Sequence, residues 1–329
     1  MKLLIIRFSS IGDIVLTTPV IRCLKLQVKD AEVHFLTKHV FSTILENNPY
    51  VDKVISLRFS WELMIHELKQ EGYDYIIDLH HNLRTLRVKK ALGVPSFAFD
   101  KLNIQKWLLT ALHINRMPKV HIVDRLLKTV SFLGVVNDGK GLDYFIPEKD
   151  EVAATDIPLS HTFGYVAVVI GAALNTKKMP VHLLQKLCMS LPYPVILVGG
   201  KEDNDAGMAI AAKDSIKIYN ACGKFNLNES ADLVRNAVTV ITHDTGLMHI
   251  AAAFQKRMVS VWGNTVPAFG MAPYYGNAAT QHTESEVRNL RCRPCSKIGY
   301  KKCPHKHFKC MELQDIPAIV NTTMSYIKP

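Results

Sequence analysis

The densest chemistry in the chain lies between 238 and 263, VTVITHDTGLMHIAAAFQKRMVSVWG, where His243, Asp244, Thr245 and Gly246 separate two apolar runs. The first run, Val238 to Thr242, is β-branched and does not alternate, the pattern of a parallel strand covered on both faces. Leu247 to about Phe254 reads as a helix, close-packing through Ala251, Ala252 and Ala253, and Met258 to Trp262 as a second buried strand. A helix that starts at a strand's carboxyl end aims unpaired N–H groups and the positive end of its dipole at one point, which suits a phosphate. Asp244 and Thr245 are also good helix-capping types, so an ordinary strand–helix turn would use the same residues.

Three other stretches carry candidate groups. In IGAALNTKKMP (170–180), Asn175 and Thr176 offer hydrogen bonds, Lys177 and Lys178 offer charge for a diphosphate, and Pro180 suits a first helical turn. Near the start, SSIGD puts Ser9, Ser10, Gly12 and Asp13 between a strand and a helix without the glycine spacing of a dinucleotide fingerprint or a P-loop. Asp13 there is either a general base or a helix cap. DLHHNLRT (78–85) supplies His80, His81, Asn82 and Arg84, and with Arg87, Lys89 and Lys90 it makes a basic patch fit for an anionic acceptor. Cys292, Cys295, Cys303 and Cys310, with His305 and His307 among them, have spacing compatible with a structural zinc site but unlike a standard ribbon; packing of reduced thiols is the alternative. Cys23, Cys188 and Cys222 are isolated and read as packing residues.

These groups need a frame that ends strands where the polar turns begin. Strand patterns at KLLIIRF, 33–37, 53–57, 73–81 and 95–100 alternate with helical ones at 14–26, 39–47, 60–71 and 120–135. After a polar, proline-broken seam near 137–160, the rhythm restarts with strands at 165–171, 194–200 and 216–220 and helices at 181–191, 203–213 and 228–237, and a helical pattern closes the chain at 312–327. Such alternation predicts two parallel α/β domains with a ligand cleft between them. The 329 residues, 48% apolar and 21% charged, are those of a soluble globular protein. Arg7 and Asp13 interrupt the first apolar run, which reads as a strand rather than a signal peptide, and no run reaches the roughly 18 residues of a membrane span, so a cytoplasmic location is expected. A net charge of +11 favours an anionic partner, but the basic residues are scattered and no nucleic-acid-binding signature is present.

Taken in order, RFSSIGDIVLTTPVIRCLK, DLHHNLRT, NTKKMP, HDTGLMHIAAAF and VSVWGNTVP resemble glycosyltransferase family 9, the ADP-heptose:lipopolysaccharide heptosyltransferases of Gram-negative bacteria. The resemblance spans nearly the whole chain, and the Asp244 to Ala253 run is its most specific part. It implies a GT-B architecture: an acceptor-binding Rossmann-like domain (1–155), a nucleotide-sugar-binding one (156–311), and a C-terminal helix (312–329) crossing back to pack on the first domain. It further implies inverting transfer that requires no cofactor, from an ADP-sugar donor to an anionic lipid-linked saccharide at the inner-membrane surface. By position, Asp13 matches the family's base, and Lys177, Asp244, Thr245, Gly246 and His249 match its donor contacts. Arg84 falls where an acceptor-domain arginine is common, with Arg125 a second candidate for that patch. Met179 stands where the family has tryptophan, and His80 and His81 stand where glutamine and a small residue are usual. Two other readings are a glycosyltransferase using another nucleotide-sugar for surface polysaccharide and a non-catalytic nucleotide-sugar-binding protein of the same fold.

Overall fold

The computed structural model describes residues 1–57 and 60–327. It divides into two compact units, the first made of 1–101, 120–145 and 274–278, the second of 102–119, 146–273 and 279–329. The first unit is built on β1 (Lys2–Ile6), β2 (Glu32–Lys38), β3 (Lys53–Leu57), β4 (Tyr75–Asp78) and β5 (Ser96–Ala98). These form one sheet in the order β3-β2-β1-β4-β5, with every pairing parallel. The second is built on β6 (Val166–Val169), β7 (Val195–Val198), β8 (Ile218–Asn220), β9 (Thr239–His243), β10 (Met258–Trp262) and β11 (His282–Glu286). Their order is β11-β10-β9-β6-β7-β8, again all parallel.

Both orders reverse once: β1 feeds β2 on one side and has β4 on the other, and β6 has β7 and β9 in the same relation. At such a switch point neighbouring connections leave in opposite directions and open a crevice beyond the carboxyl ends of the strands. Pairing of Ile6 with Asp78 and of Val169 with Thr242 fixes which loops meet there. The central strands β6, β7, β9 and β10 are buried along their whole length, which is why their sequences run apolar without alternation.

Several elements differ from the sequence-based reading. The first helix starts at Ile11 rather than 14, placing Asp13 inside its first turn, and a second helix follows at Thr18–Gln27. The stretches at 39–47 and 120–135 are largely 3-10 turns, His39–Ile44 and Lys128–Leu133, with a short α-helix at Ile122–Leu127. Helices Leu83–Leu92 and Asn103–Ala111 and the edge strand β11 are not among the elements expected from the sequence. The C-terminal helix, expected against the first domain, is Ile316–Ile327 and belongs to the second unit. It packs on the helix Val181–Ser190 and on β9 and β10, with Ile316, Ile319 and Tyr326 in that unit's core. Its apolar face (Ile316, Ile319, Val320, Met324) is thereby satisfied within its own unit; residues 328 and 329 lie outside the described residues.

In the first unit one buried charge fastens the segment after the last helix. Arg22, 2% exposed on the helix Thr18–Gln27, donates to both oxygens of Asp138 at 2.7 and 2.8 Å and to the Gly141 carbonyl at 2.9 Å, and pairs with Asp143. Removing one partner of such a group strands the others, at a cost of about 3 kcal/mol or more. Arg22→Met is expected to lower unfolding free energy by about that amount in urea titration; a loss under about 1 kcal/mol would mean the cluster does not hold this segment.

Candidate functional site

Beyond β1 the first residue is Arg7, only 8% exposed. A charge buried so deeply must be paired. Its guanidinium donates to the carbonyls of Ser9 and Leu79 and forms an ion pair with Asp13 at 2.7 Å, tying the exit of β1 to the exit of β4. The second oxygen of Asp13 accepts from the Ser10 N–H (3.1 Å) and hydroxyl (2.9 Å), the acidic half of a capping box. Burial pushes the Asp13 carboxyl up, but the Arg7 charge and the Ser10 hydrogen bonds outweigh it and hold the group below its ordinary range. Asp13 caps the helix and is a partly exposed carboxylate, ionised at neutral pH.

At the neighbouring exit Asp78, fully buried, accepts from the backbone N–H groups of His80 (3.1 Å) and His81 (2.6 Å) and pairs with Lys89 at 2.9 Å. Lys89 therefore neutralises a buried carboxylate and is no surface charge, whereas Lys90 is exposed. The His80 ring meets Phe8 edge-on at 5.3 Å. Burial, then the charges of Arg7 and Lys101, push its pKa down to about 4, so it is neutral at pH 7. Asn82 caps Leu83–Leu92 by accepting the Thr85 N–H at 3.0 Å, Arg84 is exposed in that helix's first turn, and Gly12 is buried. Arg125 donates to the Asp100 carbonyl at 3.4 Å, which ties it to the segment after β5.

In the second unit the loop after β6 meets the turn after β9. Lys177 pairs with Asp244 at 2.6 Å, and the Thr265 hydroxyl, from the loop after β10, donates to the same carboxylate oxygen at 2.8 Å. Asp244 thus joins three strand exits. Thr245 is the N-cap of the helix Gly246–Ala253 in extended backbone, and its hydroxyl makes no capping bond; Thr245 and Gly246 are partly exposed, and His249, farther along, is 2% exposed. Asn175 is exposed and opens a single 3-10 turn that delivers Lys177.

Neighbours in the same loop have structural duties. The Thr176 hydroxyl accepts from the Tyr300 N–H (2.7 Å) and donates to the Tyr300 carbonyl (3.1 Å). Lys178 pairs at 2.6 Å with Asp203, itself bonded to the Gly200 N–H. Met179, in the tryptophan position, is buried in the core, and its N–H donates to His243 Nε2 at 3.0 Å. At Gly263 a Cβ would come within 2.6 Å of the Thr176 carbonyl oxygen, so only glycine lets the exit of β10 lie against this loop.

Three residues of these arrangements escaped the sequence reading: Arg7, Thr265 and Arg293. Arg293, its side chain largely covered, donates to the carbonyls of Gly263 (2.6 Å) and Thr265 (2.9 Å) and pairs with Glu286 at 2.7 Å. Arg7 had a signal, a charge ending an apolar strand. Thr265 sits in the VSVWGNTVP run but nothing there marks it as a partner of Asp244, and Arg293 had no signal.

Against this geometry stand the likenesses to known proteins. The family model described as glycosyltransferase family 9 (heptosyltransferase) matches residues 61–303. Lipopolysaccharide heptosyltransferase 1 of Campylobacter coli is 25% identical over 307 residues, 84% of this chain and 86% of that protein. Among solved structures, the glycosyl transferase family 9 protein from Veillonella parvula DSM 2008 has a TM-score of 0.79 at 20% identity, covering 99% of this chain and 97% of its own. E. coli ADP-heptose lps heptosyltransferase II has 0.73 at 17% identity, covering 99% and 98%. The chain belongs to glycosyltransferase family 9, and is a sugar-transferring enzyme of the GT-B fold.

The buried His243 has a consequence for acid stability. Burial, then the Lys178 charge, take its pKa from the usual 6.5 to about 4. The unfolded chain therefore takes up a proton first, so the stability this ring contributes is full above pH 6.5 and is lost as pH falls towards 4. The amplitude is about 3 kcal/mol. His243→Gln, which keeps an acceptor for the Met179 N–H, is expected to flatten the fall in urea midpoint between about pH 7 and about pH 4.5; an unchanged slope would assign that fall to other groups.

Proposed function

Proceeding from this family membership, we propose that the enzyme transfers heptose from ADP-heptose to the inner core of a lipid-linked lipopolysaccharide acceptor, with inversion at the anomeric carbon. The observation that carries the reading is the Lys177–Asp244–Thr265 junction beside the start of the helix Gly246–Ala253. There a lysine, the Thr245 hydroxyl that makes no capping bond and helix N–H groups converge where a diphosphate's charge can be met. The relatives' names add the sugar and the acceptor: the Campylobacter coli protein is a lipopolysaccharide heptosyltransferase, and the E. coli structure is an ADP-heptose lps heptosyltransferase.

In this mechanism the Asp13 carboxylate accepts the proton of the acceptor hydroxyl as its oxygen bonds to the anomeric carbon from the face opposite the diphosphate. The bond from that carbon to the β-phosphate oxygen breaks, and ADP departs with the electron pair. Asp13, held below the ordinary carboxylate range by Arg7, is too weak a base to form an alkoxide beforehand, so proton transfer accompanies bond formation. Lys177 turns from Asp244 towards the departing charge, while Thr265 keeps Asp244 in place for a sugar hydroxyl. Stabilising the leaving group in this way is the largest electrostatic contribution. Ser9, Ser10, His80, Asn82, Arg84 and Arg125 are the acceptor-side candidates; neutral His80 would bond to sugar hydroxyls rather than to charge.

The acceptor's setting is an anionic bilayer surface on the cytoplasmic side of the inner membrane. Among the described residues no helix is long and apolar enough to cross a membrane. Between Asp100 and Asp124 the chain has no acidic residue and carries Lys101, Lys106, Arg116 and Lys119. The same segment exposes Ile104, Trp107, Leu112 and Ile114, the composition of an interfacial contact. It supports peripheral docking better than Lys89, which is committed to Asp78.

Calorimetric titration with ADP, UDP, GDP and CDP tests the donor. ADP is expected to bind selectively, and Lys177→Ala to weaken it by roughly ten- to a hundredfold, the scale of a charge-assisted hydrogen bond. Preference for UDP or GDP would replace heptose by another sugar, and failure to bind any nucleotide would remove the ADP-heptose reading. Asp13→Asn should lower kcat by about 10²–10⁴-fold with the ADP affinity unchanged; transfer at the parent rate would remove Asp13 as base.

A further inference from the structure

Two sets of metal-type ligands gather among the described residues: Glu32, His34 and Glu71, whose carboxylates are already paired with Lys2 and Lys53, and a set in the second unit, on the segment 287–308 between β11 and the short helix Lys309–Glu312. That segment has no regular secondary structure to hold it, yet parts of it are buried, and a loop of that length inside a compact unit needs a staple. Cys292, Cys295 and His305 bring their ligand atoms within 4.8 Å of one another. Cys303 and Cys310 are close enough to act electrostatically on Cys295, and all these cysteines are free thiols.

We propose that Cys292, Cys295 and His305 hold a divalent cation of the zinc class that fixes this loop. Zinc bonds of about 2.3 Å to sulfur and about 2.0 Å to nitrogen place tetrahedral ligand atoms under about 4 Å apart, a small contraction from the separation seen here. Charge favours the same occupant. From 287 to 311 the chain carries Arg288, Arg291, Arg293, Lys297, Lys301, Lys302, Lys306 and Lys309 with no acidic residue. Two thiolates and a neutral imidazole carry two negative charges, which a dication cancels and which that basic surround helps keep deprotonated. A cavity of about 530 Å³, lined by Thr110, His113, Arg291, Cys292, Cys295 and His305 among others, gives the ion a route in.

The consequence for donor binding rests on the function proposed above. Arg293, inside the Cys292–Cys295 pair, holds the carbonyls of Gly263 and Thr265. The Cys295 N–H donates to the Asn264 carbonyl at 3.3 Å, and Tyr300 holds Thr176. The loop fixed by the cation therefore supports the chain on both sides of the Lys177–Asp244 pair.

The test is elemental analysis of untagged, reduced protein, with cobalt titration of the metal-stripped full chain. One equivalent of zinc, or thiolate-to-cobalt charge-transfer absorption saturating at one equivalent, is expected. Cys292→Ser and His305→Ala should weaken cobalt binding by roughly ten- to a hundredfold or more. Cys188→Ser, a core thiol away from the cluster, should leave it unchanged. Reduced wild-type chain that takes up neither metal overturns the proposal without any variant having to fold, and so does undiminished binding by Cys292→Ser. Stripping the metal should weaken ADP binding by roughly tenfold. Metal binding without any nucleotide binding would sink the donor reading and leave the metal site standing.

Discussion

In both units a cation just beyond the first strand reaches the exit of the neighbouring strand, across the point where the sheet order reverses. In the first unit Arg7, following β1, takes the Leu79 carbonyl beyond β4 and pairs with Asp13. In the second Lys177, beyond β6, pairs with Asp244 beyond β9. A parallel sheet makes this contact necessary. Its strand ends point one way, the connections diverge, and polar backbone is left facing a crevice that apolar side chains cannot fill without stranding it. Charged side chains close the gap and leave groups that a polar ligand can displace.

The ion pairs around these crevices differ in how much they can give. Lys178 and Asp203 are locked by burial and by the Gly200 N–H, so breaking them would leave a buried carboxylate unpaired. Lys177 and Asp244 are held differently, because Thr265 shares the load on Asp244. If Lys177 turned away, Asp244 would keep the Thr265 hydrogen bond, so this pair opens at lower cost than the Lys178–Asp203 pair. Asp13 likewise has its two oxygens divided, one on Arg7 and one on the Ser10 cap.

Departures from the motif are absorbed by packing. Met179 takes the tryptophan position and fills the core beside His243. The two histidines after β4 are shaped by Asp78, which binds both of their backbone N–H groups. Within what looks in the sequence like a polar, basic strip, Lys89 is the counter-ion of a buried carboxylate, while Arg84, Arg87 and Lys90 stay exposed.

The sequence by itself determined the strand–helix alternation, the two parallel units and the turns that carry Asp13, Lys177 and Asp244. Burial on both faces of a sheet demands unbroken apolar runs, and the turns that end them must be polar. Tertiary structure alone decided which of those polar groups are free. Thr176 is used by Tyr300, Lys178 by Asp203 and Lys89 by Asp78, each through a partner that no local pattern announces. It also decided that the last helix packs in the second unit, because an apolar helical face specifies that it will be buried but not against which sheet.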